Sequence, residues 1–219
     1  MHWRPRNIER VQSIPFSLLL AGVALLAYLI GGLPFGYWFV RLSSGQDIRT
    51  MGSGNIGATN VHRSVGRKAG IVVLLLDIFK GFAAVWIAAI LTNASPVALA
   101  LSAVAVMIGH CYPVFLGFRG GKAVACFIGA FLYISPLALA LTILIFVVVF
   151  ALGKYVSLAS IVAALLFPLV MWITMHPPAP ILRAAAGAAL LIVYRHKSNI
   201  SRLRTGSEPT FSLKGKTAA

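Results

Sequence analysis

Long apolar runs alternate with short polar connections along most of the chain. A helix needs about 20 apolar residues to cross the roughly 30 Å hydrocarbon core of a bilayer. A soluble domain must keep a polar surface, so it does not contain this many uninterrupted runs. The pattern therefore predicts an all-α, polytopic membrane protein. The apolar runs cover residues 14–40, 70–91, 97–116, 123–134, 137–152, 155–175 and 181–194.

The number of membrane spans depends on how Ser135-Pro136 is interpreted. If residues 123–152 form one long span, the chain has six transmembrane helices, whereas a break at Pro136 gives seven. Proline lacks a backbone N–H and disfavours helix in the residue before it, so a break is physically reasonable. We therefore expect about seven transmembrane helices.

The positions of the basic residues favour seven spans. In that arrangement, the connections that carry most of the 19 lysines and arginines lie on one side of the membrane. The positive-inside rule makes this side cytoplasmic, with the N-terminus outside and the C-terminus in the cytoplasm. Arg4, Arg6 and Arg10 do not fit this orientation. The expected organisation is an N-terminal extension at 1–13, a membrane domain at 14–195 and a cytoplasmic C-terminal segment at 196–219.

Composition limits the classes of partner. Of the 219 residues, 59% are apolar and 11% are charged, with a formal net charge of +15. The basic residues are spread through short connections and the tail, with no soluble basic domain, so we expect no nucleic-acid binding. Contact with the lipid bilayer and with an anionic lipid or substrate explains the charge better. The oligomeric state is left open by the sequence.

The first polar connection, GSGNIGATNVHR, is dense in hydrogen-bond donors. Glycines let backbone N–H groups approach an anion closely, and hydroxyl, amide and guanidinium groups add further donors. Arg63 can grip a phosphate through two nitrogens. A flexible solvated loop is the alternative, although a plain linker does not need so many donors. The predicted phosphate-binding residues, beside Ser53 and Arg63, are Gly54, Asn55, Gly57, Thr59 and Asn60.

The second connection, GHCYPVFLGFRGGKAVA, runs directly into an apolar helix. Free amides at a helix N-terminus beside a lysine form an anion site, so Gly120, Gly121 and Lys122 are predicted to bind phosphate. His110 has two interpretations, a structural histidine that bonds a loop carbonyl or a residue of the site.

A third polar cluster, RHKSNISRLRTGSEP, follows the last span. If the helix continues, His196, Asn199 and Arg202 lie on one face. An ordinary basic tail on anionic lipid is the alternative. Ser157 belongs to a smaller polar patch on the same side of the membrane, from which it can reach the site.

Few acidic residues are available for catalysis or metal binding. The chain contains only Glu9, Asp47, Asp77 and Glu208, which are too dispersed for a carboxylate-bridged metal site, so no metal or other cofactor is expected. Asp77 and Lys80 stand three residues apart in an apolar helix and are expected to pair, because unpaired charge within a membrane is costly.

The three clusters, in this order, resemble the PlsY family of bacterial integral-membrane acyl-phosphate:glycerol-3-phosphate acyltransferases. The matching sequences are GSGNIGATNVHR, GHCYPVFLGFRGGKAVA and HKSNISRLRTGSE, and the likeness extends over residues 32–208. The resemblance implies a seven-helix enzyme of the cell inner membrane with its active site on the cytoplasmic side. It implies transfer of an acyl group from acyl phosphate to the 1-position of glycerol 3-phosphate, which gives lysophosphatidic acid and phosphate in the first acylation of phospholipid biosynthesis.

The resemblance also assigns roles to individual residues. The family's essential serine and arginine correspond to Ser53 and Arg63, and its essential histidine and asparagine correspond to His196 and Asn199. Its phosphate-binding segment matches Gly120, Gly121 and Lys122, its structural glutamate matches Glu208, and a site serine matches Ser157. One departure is Ala123, where the family usually has glycine; an alanine in the first turn of a helix is expected to preserve binding.

Two questions remain open in the sequence. The proton of the attacking hydroxyl passes either to His196 or to a phosphate oxygen of the substrate.

A membrane transporter of anions or phospholipid intermediates explains the basic loops and the polytopic pattern equally well. It predicts polar residues on both sides of a pathway, whereas this chain concentrates them at one face.

Overall fold

The computed structural model describes residues 15–211, and these residues form a bundle of α-helices without any strand. The predicted extension at 1–13 and the end of the C-terminal segment, 212–219, lie outside the described residues. Two short 3-10 helices, Ile48–Thr50 and Val114–Leu116, lie in the polar connections. The α-helices are α1 (Phe16–Gly32), α2 (Phe35–Ser44), α3 (Ala58–Ser64), α4 (Arg67–Thr92), α5 (Pro96–Cys111), α6 (Val124–Ile134), α7 (Pro136–Gly153), α8 (Val156–Met175), α9 (Ala179–Arg195) and α10 (Lys197–Arg204).

Five segments among residues 15–211 are long and apolar enough to cross a membrane. They are Phe16–Ser44, Arg67–Thr92, Pro96–Leu116, Pro136–Gly153 and Val156–Met175, and α6 is a shorter apolar helix. The prediction of an all-α, polytopic membrane protein is therefore confirmed.

The predicted break at Pro136 is present. Helix α6 ends at Ile134 and α7 begins at Pro136, with Ser135 between them in a non-helical conformation (φ −151°, ψ 75°). The helices separate after this break, because α6 packs mainly on α4 whereas α7 packs mainly on α8. The space between these two pairs of helices becomes the main cavity.

Close helix contacts depend on glycine at two crossings. A Cβ on Gly109 of α5 would collide with the backbone oxygen of Tyr28 in α1. A Cβ on Gly129 of α6 would likewise collide with the backbone oxygen of Ile78 in α4. Small residues at helix crossings let backbones approach closely, which is the usual source of packing between helices in a membrane.

The predicted pairing of Asp77 with Lys80 is confirmed. The Lys80 ammonium lies 2.8 Å from Asp77 Oδ1, and both side chains are almost fully buried. Lys80 also donates a 2.8 Å hydrogen bond to the carbonyl oxygen of Leu33, at the break between α1 and α2. The ion pair thus neutralises two buried charges and satisfies a carbonyl that is freed where the first segment is interrupted.

Candidate active site

One cavity of about 600 Å³ collects residues from all three polar connections. The polar connections contribute most of its charged and polar side chains, and the helices between them contribute mostly aliphatic and aromatic ones. The polar residues in its lining include Ser53, Asn55, Thr59, Asn60, Arg63, Lys122, Ser157, His196, Asn199, Arg202 and Glu208. Apolar lining comes from α4, α6, α7 and α8, and includes Ile71, Leu74, Ile78, Phe127, Ile143, Phe146, Val147 and Phe150.

Asn60 organises the first loop through its side chain. Its Oδ1 accepts a hydrogen bond from the backbone N–H of Ser53 at 2.9 Å, and its Nδ2 donates to the carbonyl oxygens of Met51 and Asn55 at 2.9 Å each. Asn55 Oδ1 in turn accepts from the N–H of Gly57 at 2.8 Å. The side-chain amides of Asn55 and Asn60, which were predicted to bind phosphate, are therefore largely occupied by hydrogen bonds that shape the first loop.

The other first-loop residues separate onto two surfaces. Ser53, Gly57 and Thr59 line the main cavity. Gly54, with φ of 68°, lines a separate polar cleft of about 570 Å³ that also includes Arg49 and Gly120. Gly54 therefore has a left-handed conformation that favours glycine, and it does not belong to the lining of the main cavity.

Arg63 is a half-buried cation with unused donor capacity. Its Nη2 donates a 3.2 Å hydrogen bond to the carbonyl oxygen of Pro209, while its buried Nε has no hydrogen-bond partner within residues 15–211. Burial lowers the pKa of Arg63 from its ordinary value. A buried guanidinium N–H without a partner in the wall of a cavity is suited to binding an anion there.

Gly120 and Gly121 form a corner that packs against His110. Their N–H groups donate to the carbonyl oxygens of Cys111 (3.2 Å) and His110 (2.9 Å). Their carbonyl oxygens accept from Arg195, through Nη2 at 3.0 Å and Nε at 2.9 Å. A Cβ on Gly121 would collide with the His110 ring. The two glycines therefore shape the loop, and the donors it presents to the cavity are Lys122 and the N-terminus of α6.

Lys122 lies next to the third cluster. Its Nζ donates to Asn199 Oδ1 at 2.5 Å. Burial, together with the neighbouring cations Arg202, Arg63 and Arg195, lowers the pKa of Lys122 to about 8, although Glu208 opposes the shift. A bound anion would therefore strongly stabilise the protonated form of Lys122.

Glu208 holds the third cluster together through three side chains. Ser157 Oγ and Asn199 Nδ2 donate to its Oε1 at 2.7 and 2.6 Å, and Arg202 Nε donates to its Oε2 at 2.7 Å. Burial of Glu208 opposes ionisation, but these hydrogen bonds outweigh it and hold the pKa of the carboxyl below its usual range. Ser157 thus contacts Glu208, and Asn199 connects Glu208 to Lys122.

His196 is fixed in one tautomer. Its Nδ1 lies 2.8 Å from the carbonyl oxygen of Ile192, and a carbonyl only accepts, so Nδ1 carries the proton. Burial, with a contribution from Lys122, lowers the pKa of His196 to about 4. At neutral pH the ring is uncharged, and Nε2 has a lone pair available at the cavity wall.

His110 lies behind the glycine corner at the inner edge of the cavity. Its Nδ1 is 3.6 Å from Asp77 Oδ1, and Asp77, His110 and Cys126 place potential metal ligands within 4.8 Å of one another. The Lys80 ammonium, however, lies 2.8 Å from the same Asp77 oxygen. A like charge at this distance strongly disfavours a metal cation, so these residues fit an ion pair better than a metal site.

The family model for glycerol-3-phosphate acyltransferase matches residues 21–206. A protein of that name from Syntrophomonas wolfei is 43% identical over 188 residues, which cover 86% of this chain and 95% of the relative. One from Bordetella petrii is 43% identical over 215 residues, covering 94% of this chain and all of the relative. The chain belongs to the glycerol-3-phosphate acyltransferase family.

The fold agrees with this membership. A crystal structure of PlsY, an integral membrane glycerol 3-phosphate acyltransferase, in its glycerol 3-phosphate form, superposes with a TM-score of 0.83 and 39% identity, covering 88% of this chain and 96% of that one. The lysophosphatidic acid form gives a TM-score of 0.80 and 37% identity, covering 89% and 96%. The chain is therefore an acyltransferase, and the transporter alternative is set aside.

The acyltransferase site includes three residues that were not predicted from the sequence. Arg195 holds the glycine corner, His62 is a buried lining residue in α3, and Phe211 stacks on His62 with ring centroids 4.8 Å apart. His62 and Arg195 each stand next to a predicted site residue in the sequence, and this position could have indicated that they belong to the site. Nothing in the local sequence indicates that Phe211 returns to the site.

Ala123 has a different conformation from the one expected. It precedes α6 with φ of 61° and ψ of 9°, a left-handed conformation, and does not belong to the first helical turn. Alanine costs roughly 1–2 kcal/mol in this conformation. The left-handed backbone conformation therefore explains why the family that this sequence resembles usually has glycine at this position.

We expect Ala123→Val to be strongly destabilising, because a β-branched residue at positive φ is a severe outlier. Ala123→Gly should be tolerated, since the relieved backbone strain offsets the lost methyl group. Thermal unfolding of the purified acyltransferase in detergent checks this, with Val124→Ala in the adjacent helical position as the matched control. Equal unfolding temperatures for Ala123→Val and Ala123→Gly would contradict the left-handed assignment.

Proposed function

We propose that this acyltransferase moves an acyl group from an acyl phosphate to the 1-hydroxyl of glycerol 3-phosphate, releasing lysophosphatidic acid and inorganic phosphate. The observation that carries the proposal is that a single cavity is lined both by cationic residues of the polar connections and by apolar side chains of the long helices. An acyl phosphate matches both kinds of lining, with its phosphate joined directly to the carbonyl at the head of a hydrocarbon chain.

The apolar end has the dimensions of an acyl-chain site. Its lining follows α7 from Leu139 to Phe150, a rise of about 16 Å at 1.5 Å per residue. Apolar side chains from α4, α6 and α8 complete the walls. Because the chain of the donor already lies in an apolar bilayer, these walls accommodate it without the gain of about 0.8 kcal/mol per methylene group that transfer from water would give.

The cationic end can hold two phosphate groups. Arg63, Lys122 and Arg202 lie in the same cavity wall, and Glu208 is the acidic residue bonded to Arg202. The N-terminus of α6 adds backbone donors and the positive end of a helix dipole. Ser53, Gly57 and Thr59 face these groups from the first loop, which supports their predicted contact with substrate phosphate.

The mechanism we propose is direct transfer. The 1-hydroxyl oxygen of glycerol 3-phosphate attacks the acyl carbon, its proton goes to Nε2 of His196, and the bond from the acyl carbon to the phosphate oxygen breaks. Lys122 and the α6 amides stabilise the charge that develops on the carbonyl oxygen and on the leaving phosphate. Phosphate is already a good leaving group, so no covalent enzyme intermediate is needed.

The proposed topology has seven spans, with the N-terminus outside and the C-terminal segment, including residues 196–208, completing the site on the cytoplasmic side of the inner membrane. The five long segments support this number if α6 and α9 also cross. At 11 residues α6 is only about 17 Å long.

The function is tested by supplying the purified protein with acyl phosphate and glycerol 3-phosphate in the presence of a chelator and measuring lysophosphatidic acid. We expect product from the wild type and a loss of about 100-fold or more in kcat/KM for Arg63→Ala, because a phosphate would lose a charged hydrogen-bond donor. Arg67→Ala, an exposed arginine outside the cavity lining, is the matched control. Product from acyl-coenzyme A but not from acyl phosphate would contradict the proposed donor.

The role of His196 as the base has its own test. We expect His196→Asn to lower kcat by about 10²–10⁴, the usual contribution of a general base. Because burial lowers the pKa of His196 to about 4 in the free enzyme, wild-type kcat/KM should not fall with an ordinary histidine pKa between about pH 7.5 and 6. A variant that kept full kcat would show that a substrate phosphate takes the proton.

Lys122 should make substrate binding sensitive to pH on the alkaline side. Its pKa of about 8 means that the free enzyme loses this positive charge as the pH rises through that value. We expect the KM for acyl phosphate, whose phosphate Lys122 contacts in the proposed mechanism, to rise between about pH 7 and 9, and to rise less in Lys122→Arg, because arginine stays protonated. An identical pH profile of KM in both proteins would argue against Lys122 as a phosphate ligand.

A further inference from the structure

The chain turns back on itself after α10 and adds Glu208 and Phe211 to the cavity lining. We call residues 205–211 the C-terminal strap. The backbone N–H of Phe211, in the last described position, donates a 2.9 Å hydrogen bond to the carbonyl oxygen of Lys154 in the turn between α7 and α8. The strap thereby joins α10 to the opposite side of the cavity.

Two further contacts fix the path of the strap. Glu208 accepts hydrogen bonds from Ser157 of α8 and from Asn199 and Arg202 of α10. The carbonyl oxygen of Pro209 accepts from Arg63 of α3. The strap therefore contacts α3, α8 and α10 before it reaches Phe211. These contacts fix the position of the Phe211 ring.

The Phe211 ring lies between two aromatic side chains of the cavity wall. It stacks on His62 of α3, with centroids 4.8 Å apart and planes 21° apart, and it meets Phe150 of α7 edge-on at 5.8 Å and 74°. All three residues line the cavity. The rings connect α3, which carries Arg63, to the C-terminal part of α7, whose other lining side chains there are apolar.

This boundary is where the reacting carbonyl of the donor must lie. Its phosphate belongs with the cations and its chain with the apolar wall, so the acyl carbon between them is placed beside Phe211. An acyl phosphate also reacts with water, and closed active sites suppress such side reactions by excluding it. The Phe211 and Phe150 rings exclude water there without offering it a hydrogen bond.

We propose that Phe211 closes the cavity over the acyl carbonyl, so that glycerol 3-phosphate rather than water receives the acyl group. This inference rests on the proposed function. In transfer, the 1-hydroxyl oxygen bonds to the acyl carbon as the bond to phosphate breaks. In hydrolysis, a water oxygen takes that place, the same bond breaks, the proton of water ends on the released phosphate, and a fatty acid is formed. Phe211 acts here as a specificity-determining residue.

The test counts both products from one donor. Full-length protein in phospholipid nanodiscs receives acyl phosphate labelled in its acyl chain, with saturating glycerol 3-phosphate, and labelled lysophosphatidic acid and fatty acid are measured against a protein-free blank. We expect Phe211→Ala to raise the ratio of fatty acid to lysophosphatidic acid about tenfold. Phe211→Tyr, which keeps the ring, should restore a ratio near that of the wild type.

Two further variants distinguish an effect of the Phe211 ring on the product ratio from a general loss of folding. Phe115→Ala removes an exposed aromatic residue outside the cavity lining and should leave the ratio unchanged. If Phe211→Ala does not fold, as judged by its thermal unfolding, Phe211→Leu keeps apolar volume without the stacked ring and should raise the ratio to a smaller extent.

The possible failures are distinguishable. Wild-type protein that makes no lysophosphatidic acid from acyl phosphate would overturn the proposed function. Wild-type activity together with a proportional loss of both products in the folded Phe211 variants would overturn the inference and leave Phe211 with a structural role.

Discussion

A single carboxylate, Glu208, connects the parts of the site that come from different regions of the chain. It binds Ser157 of α8 and Asn199 and Arg202 of α10, and through Asn199 it reaches Lys122 at the start of α6. Burying an acid is costly unless its oxygens are hydrogen-bonded, and three donors meet this requirement here. Loss of this carboxylate would leave Arg202 and Lys122 as unbalanced neighbouring cations.

The remaining polar groups divide between those that hold the protein together and those left available to a substrate. Asn60, Arg195 and the amides of Gly120 and Gly121 are satisfied by backbone partners. Within residues 15–211, Arg63 Nε, the lone pair of His196 and His110 Nδ1 have no hydrogen-bond partner. In a membrane protein, where water does not solvate spare donors, this contrast is a physical indication of where a polar ligand belongs.

The shape of the cavity follows from how the helices part after Pro136. Because α6 packs on α4 and α7 packs on α8, the break opens an apolar space directly beneath the cationic cluster. An amphiphilic donor fits such a space with its reacting carbonyl at the boundary. The part of the C-terminal strap that returns to the cavity, residues 207–211, follows the family-model match at residues 21–206.

Hydrophobic patterning and local chemistry by themselves determined the all-α membrane class, the break at Pro136, the pairing of Asp77 with Lys80 and the three polar clusters. Each of these depends on residues close together in the sequence. Only the tertiary structure decided which donors are free, because the partners of Asn60 and Gly121 come from backbone whose path local pattern does not specify. The left-handed conformation of Ala123 and the return of Phe211 to His62 were decided in the same way, by long-range packing.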